Sequence, residues 1–154
     1  MRILLAVDGS KCSEAAVEAL LHQYKPLETE VLILSVVESV KLMPMSYGFG
    51  AGPIFVQDYA EIAQQWRKEG EALLARTAAA LRNAGFIVST RLEEGDARGN
   101  ILDCAKNWRP DLILLGSHGW RGFDRFMLGS VSDAVARHAP CSVEIVRSKA
   151  DATA

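Results

Sequence analysis

The chain has 154 residues, 49% of them hydrophobic and 23% charged, with a formal net charge of −2. That composition predicts one soluble globular domain with its own core and offers no basic face to nucleic acid. Cys12, Cys104 and Cys141 lie far apart without a C-x-x-C pair. They argue against a disulfide framework or a zinc site and are expected as buried thiols in a reducing compartment.

Ile3 to Val7 is a continuous apolar run. Continuous rather than alternating hydrophobicity predicts a strand covered on both faces. A strand starting this early leaves no room for a signal peptide, and no run approaches membrane-spanning length, so a cytoplasmic protein without a membrane partner is expected. Asp8-Gly9-Ser10 ends the strand, and Ser10 is placed to cap a helix running through Gln23. Asp8 stands where open α/β sheets put ligand contacts, although by itself it reads as a turn-forming or capping aspartate.

After Pro26, Glu30 to Val37 is the second predicted strand. The stretch from Ser39 to Val56, with Pro44, Pro53 and several glycines, reads as a flap over a ligand or partner, or as a disordered crossover. From Asp58 to Ala84 the period is helical, with Ile62, Trp66, Leu73, Thr77 and Leu81 near one face. On that spacing Trp66 is expected in the core rather than as a stacking platform. Asn83-Ala84-Gly85 is a helix stop.

Phe86 to Leu92 alternates, with Phe86, Val88, Thr90 and Leu92 opposite Ile87, Ser89 and Arg91, as a half-exposed edge strand would. Glu93 and Glu94 then lead a turn as solvated charge. Gly99 to Trp108 reads as a short helix, and Arg109-Pro110 breaks it before a buried strand from Asp111 to Leu115.

Gly116 to Ser130 follows, and then a helix from Val131 to His138. Glycine at a strand end lets the backbone turn sharply, and Gly129-Ser130 at a helix start leaves outward N–H groups at the positive end of the helix dipole. Together these predict a phosphate cradle that needs no lysine. It is neither a Walker A loop nor G-x-G-x-x-G. A last strand covers 141–147, and the tail 148–154 is expected to fray. Strands alternating with helices predict an α/β fold, a single doubly wound parallel sheet with helices on both faces over 1–147.

The spacing Gly116-x2-Gly119-x9-Gly129-Ser130 resembles the G-2x-G-9x-G-[ST] signature of the ATP-binding universal stress proteins. Val7-Asp8-Gly9-Ser10 resembles that family's V-D-x-S opening, and Leu34-Ser35-Val36-Val37 and His138-Ala139-Pro140-Cys141 extend the likeness over nearly the whole chain. The resemblance implies a Rossmann-like five-stranded sheet in the order 3-2-1-4-5. It also implies a homodimer through the last strand, 141–147. It places Asp8 and the backbone of Val36 beside adenine and ribose, and Gly116, His118 and Gly119 along the ribose and phosphate approach. Gly129, Ser130 and Val131 would hold the phosphates, and Ala6, Leu115 and Ser117 complete the implied lining. Arg121 adds an arginine with the reach for a terminal phosphate. Ser142 and Glu144 depart from the family pattern, and a charge on an edge strand works against pairing.

The expected ligand is therefore an adenine nucleotide, ATP, ADP or AMP, with Mg2+ carried by the nucleotide. The expected function is a cytoplasmic nucleotide-binding module of the stress response or signalling. His118 is expected to position the loop, since no Ser-His-Asp order or second metal ligand accompanies it. The competing readings are a slow ATPase, or an adenylate-forming enzyme of related fold, and a dimeric scaffold that takes no nucleotide.

Overall fold

The computed structural model describes residues 1–37, 56–119 and 128–148, with the backbone alone for 56–59. The expected flap up to Phe55, Arg121 and the tail from Lys149 lie outside the described residues. Five strands and four helices alternate: β1 Arg2–Ala6, α1 Lys11–Gln23, β2 Glu30–Val37, α2 Val56–Asn83, β3 Ile87–Glu94, α3 Ala97–Trp108, β4 Leu112–Gly116, α4 Ser130–His138 and β5 Ser142–Val146. The sheet order is β3-β2-β1-β4-β5, with every pair parallel, as expected.

The two-residue period of the strands explains the unbroken apolar runs. Ile3, Leu5, Val31, Ile33, Leu112 and Leu114 point to one face, where Ala16 and Leu20 of α1 and Leu74, Ala78 and Leu81 of α2 close over them. Leu4, Leu32, Leu34, Ile113 and Leu115 point to the other, against Ile101, Cys104 and Ala105 of α3 and Val135 of α4. A charge at any of these positions would be buried in one layer or the other. β3 is the exception because it lies at the edge: Val88 and Leu92 pack on the α2 side, whereas Ile87, Ser89 and Arg91 are exposed. Thr90, expected to face inward, is exposed as well.

Helix ends follow their local chemistry. Ser10 caps α1 by accepting from Ser13 N–H, and Asp96 caps α3 by accepting from Gly99 N–H. α2 stops at a Schellman turn, with Phe86 N–H donating to Leu81 O at 3.1 Å and Gly85 N–H to Arg82 O at 2.9 Å. Gly85 has φ +93° there, which a Cβ would penalise. Leu81 and Phe86, both buried, close the turn against the core.

α2 has 28 residues and so spans about 42 Å, against about 26 Å for the eight-residue β3 it covers. The helix therefore overhangs the sheet. Residues 60–69 are all exposed, and burial begins only at Gly70. Trp66, expected in the core, is 40% exposed, and Ile62 on the same helix face is 44% exposed. Their helical spacing was sound, but no sheet lies beneath that half of the helix.

Glu144 of β5 turns to the α1 side, where its carboxylate accepts from the Tyr24 hydroxyl at 2.6 Å. Burial, together with this carboxylate, pushes the Tyr24 phenol up to about 12. The charge that seemed to oppose strand pairing is thus engaged within the fold, away from the strand's edge.

Candidate nucleotide-binding cleft

β1 and β4 are neighbours whose chains leave in different directions, and at such a switch point the strand ends part. The β1–β4 register ends at Ala6 and Leu115, whereas the β2 contact continues, with Val7 N–H donating to Leu34 O at 2.9 Å. A cleft of about 820 Å³ opens here, lined by Ala6, Asp8, Val36, Leu115, Gly116, His118, Gly119, Gly129, Ser130 and Val131 among others. Its size suits a small organic ligand.

Gly116 is needed for packing. A Cβ on it would lie 2.6 Å from the Cys12 carbonyl carbon and 2.7 Å from Ser13 N, so the first turn of α1 rests directly on the β4 end. That contact draws the β1 and β4 turns together. Asp8 Oδ1 accepts from Ser10 N–H at 2.9 Å and from the Ser10 hydroxyl at 2.6 Å, while Asp8 N–H donates to Ser13 Oγ at 3.2 Å. The aspartate is thus a turn residue, and its Oδ2 reaches over Gly119, where a Cβ would come within 2.6 Å. The turn and the cleft share one carboxylate.

Ser117 does not line the cleft. It is fully buried, with Oγ 3.5 Å from Cys12 Sγ and 3.1 Å from His118 Nδ1. Its N–H donates to Val146 O at 2.8 Å, and its carbonyl accepts from Gly129 N–H at 2.9 Å and the Ser132 hydroxyl at 2.7 Å. Ser117 therefore ties both ends of the glycine loop to the sheet. His118 lines the cleft, and its Nε2 is buried without a hydrogen-bond partner among the described residues. A buried polar atom of this kind awaits a partner.

Gly129, Ser130 and Val131, all expected at the phosphates, all line the cleft; the Gly129 amide already donates to Ser117 O, which leaves the amides of the last two. Those two are the first helical residues of α4, whose N–H groups have no intrahelical acceptor. α4 also carries no side-chain cap, in contrast to α1 and α3. Its positive end is thus left open toward the cleft.

The family model for the universal stress protein family matches residues 1–147. This chain belongs to the universal stress protein family. It is 32% identical over 148 residues to the universal stress protein YxiE of Bacillus subtilis, spanning 95% of this chain and 98% of that one. In three dimensions it is similar to UspA of Lactobacillus plantarum, with a TM-score of 0.79 and 23% identity over 96% of this chain and 97% of the other. A universal stress protein of Arabidopsis thaliana, solved with AMP bound, aligns at a TM-score of 0.70 and 21% identity, over 100% of this chain and 95% of that one.

In this family member the cleft also has a wall that the glycine signature does not announce. Trp66, Glu69, Gly70, Leu73 and Arg76 of α2 line it beside Val36 and Val37. The helix sits close because Gly70 faces Leu92 and Val37, where a Cβ would lie 2.8 Å and 3.1 Å from their methyl carbons. A lone glycine in a long helical pattern was the available sign of this close approach. Among the described residues no three His, Cys, Asp or Glu side chains cluster to hold a metal ion. None of the three cysteines forms a disulfide; Cys12 and Cys104 are buried as expected, Cys141 only half-buried, and burial is the chief cause that raises the Cys104 and Cys141 thiols in pKa. No helix among the described residues is long and apolar enough to cross a membrane.

Proposed function

We propose that the chain binds an adenine nucleotide, ATP, ADP or AMP, in this cleft and serves as a nucleotide-responsive module in the stress response of the cytoplasm. The observation that carries the reading is the mixed lining of the cleft, which joins the uncapped α4 start at Ser130 and Val131 and the loop residues His118 and Gly119 to apolar Leu34, Val36 and Val37, with Asp8, Glu69 and Arg76 also on its wall. An anion suits the α4 start by dipole and amide geometry, and an aromatic base suits the apolar side chains.

In this reading Asp8 and the Val36 backbone lie beside base and ribose, and the Ser130 and Val131 amides hold phosphate. His118 Nε2 finds its partner on the ligand, and Mg2+ arrives with the nucleotide. The AMP held by the Arabidopsis relative supports the ligand class. Two copies pair through the 141–147 edge, which is compatible with Glu144 bonding inward to Tyr24. Titration with a fluorescent ATP analogue, competed by ATP, ADP and AMP, tests the proposal. Micromolar competition supports it, whereas a chain that takes up none of these ligands refutes it. Phosphate release during the same incubation reports any turnover.

A further inference from the structure

Among the described residues, Trp66 of α2 belongs to neither core cluster. It lies one turn before Gly70, in a stretch of α2 where every residue from 60 to 69 is exposed, and its own surface is 40% exposed. Yet it is not isolated on the outside of the helix, because it lines the cleft together with Val36, Val37, Gly70 and Leu73. The seat of Gly70 on Leu92 and Val37 sets the helix at this height and brings the ring to the rim of the sheet.

The cleft thereby has an aromatic residue on its α2 side, beside Gly70, Leu73 and Val37, and the uncapped start of α4 lines the same cleft. We propose that Trp66 is the base-stacking face of the site and the residue that makes it select a nucleotide over a base-free sugar phosphate. The inference rests on the nucleotide reading above. Stacking on an indole accepts any purine, because every base has a π-face.

The experiment compares AMP and ribose 5-phosphate, each competed against the fluorescent ATP analogue, on the wild-type chain, Trp66→Ala and Trp66→Phe. Loss of one stacking contact lowers AMP affinity about tenfold in Trp66→Ala, and Trp66→Phe recovers most of it. Ribose 5-phosphate binds all three chains alike. An unchanged AMP affinity in Trp66→Ala overturns the inference alone, and so does an equal loss for both ligands, which would mark a structural role. A wild-type chain that binds no AMP overturns the nucleotide reading and this inference together. Because the side chain is exposed, thermal melting of the variants is expected to match that of the wild type.

Discussion

The Asp8 carboxylate reaches over Gly119 so closely that a Cβ at residue 119 would sit 2.6 Å from Oδ2. The same carboxylate holds Ser10 through Oδ1, and Ser10 Oγ lies 3.2 Å from His118 O, so the β1 turn and the β4 loop meet through both side chains.

Gly119→Val is therefore expected to act on binding more than on folding. The clashing atom is the end of a side chain that can rotate, and the first cost is displacement of Asp8 into the cleft. Nucleotide affinity should fall more than tenfold in the fluorescence titration. Stability should change by about 1 kcal/mol or less by chemical denaturation.

Gly116→Ala should do the reverse. Its Cβ would meet backbone atoms of Cys12 and Ser13 at 2.6 and 2.7 Å, and a helix cannot yield as a carboxylate can. A loss of about 3 kcal/mol in the urea midpoint analysis is expected. A loss below about 1 kcal/mol would show that α1 does not rest on β4 as described.

Ser130→Pro separates the helix from its amide. Proline is well tolerated at the first helical position, and Gly129 before it has φ −62° and ψ 154°, the extended conformation that a following proline requires. Stability should stay within about 0.5 kcal/mol, while one N–H of the cradle is lost. Affinity for ATP and AMP should drop about tenfold or more, as expected for a hydrogen bond to a charged group. Ser130→Ala, which keeps the amide, isolates the contribution of the hydroxyl.

The Tyr24 and Glu144 pair gives the fold an alkaline limit. Tyr24 titrates near 12 in the folded chain, against an ordinary 10 when unfolded. Below pH 10 both states keep the proton and the contribution to stability is complete. Between 10 and about 12 the unfolded chain releases it first, so stability falls as pH rises. Glu144→Gln removes the carboxylate, moves the tyrosinate absorbance midpoint down and narrows that window. A midpoint unmoved by the substitution would contradict the pairing.

Much of this architecture was legible along the chain, because strand and helix periods and turn chemistry are local. The continuous run at Ile3, the stop at Asn83-Ala84-Gly85 and the cap at Ser10 each declare themselves within a few residues. The glycine spacing located the mouth of the cleft, and the family likeness carried the strand order. The sequence by itself thus determined which segments form elements and where the loop of interest lies.

The tertiary structure alone decided which way individual groups face. Ser117 turned inward to bind the loop ends, and Gly129 spent its amide on Ser117 O. Glu144 found Tyr24 120 positions away in the chain. Trp66 emerged from the expected core because α2 outruns the sheet beneath it. The reason is the same in each case: a residue's period tells which face of its own element it occupies, whereas its burial depends on whether another element, distant in sequence, ends above or below it.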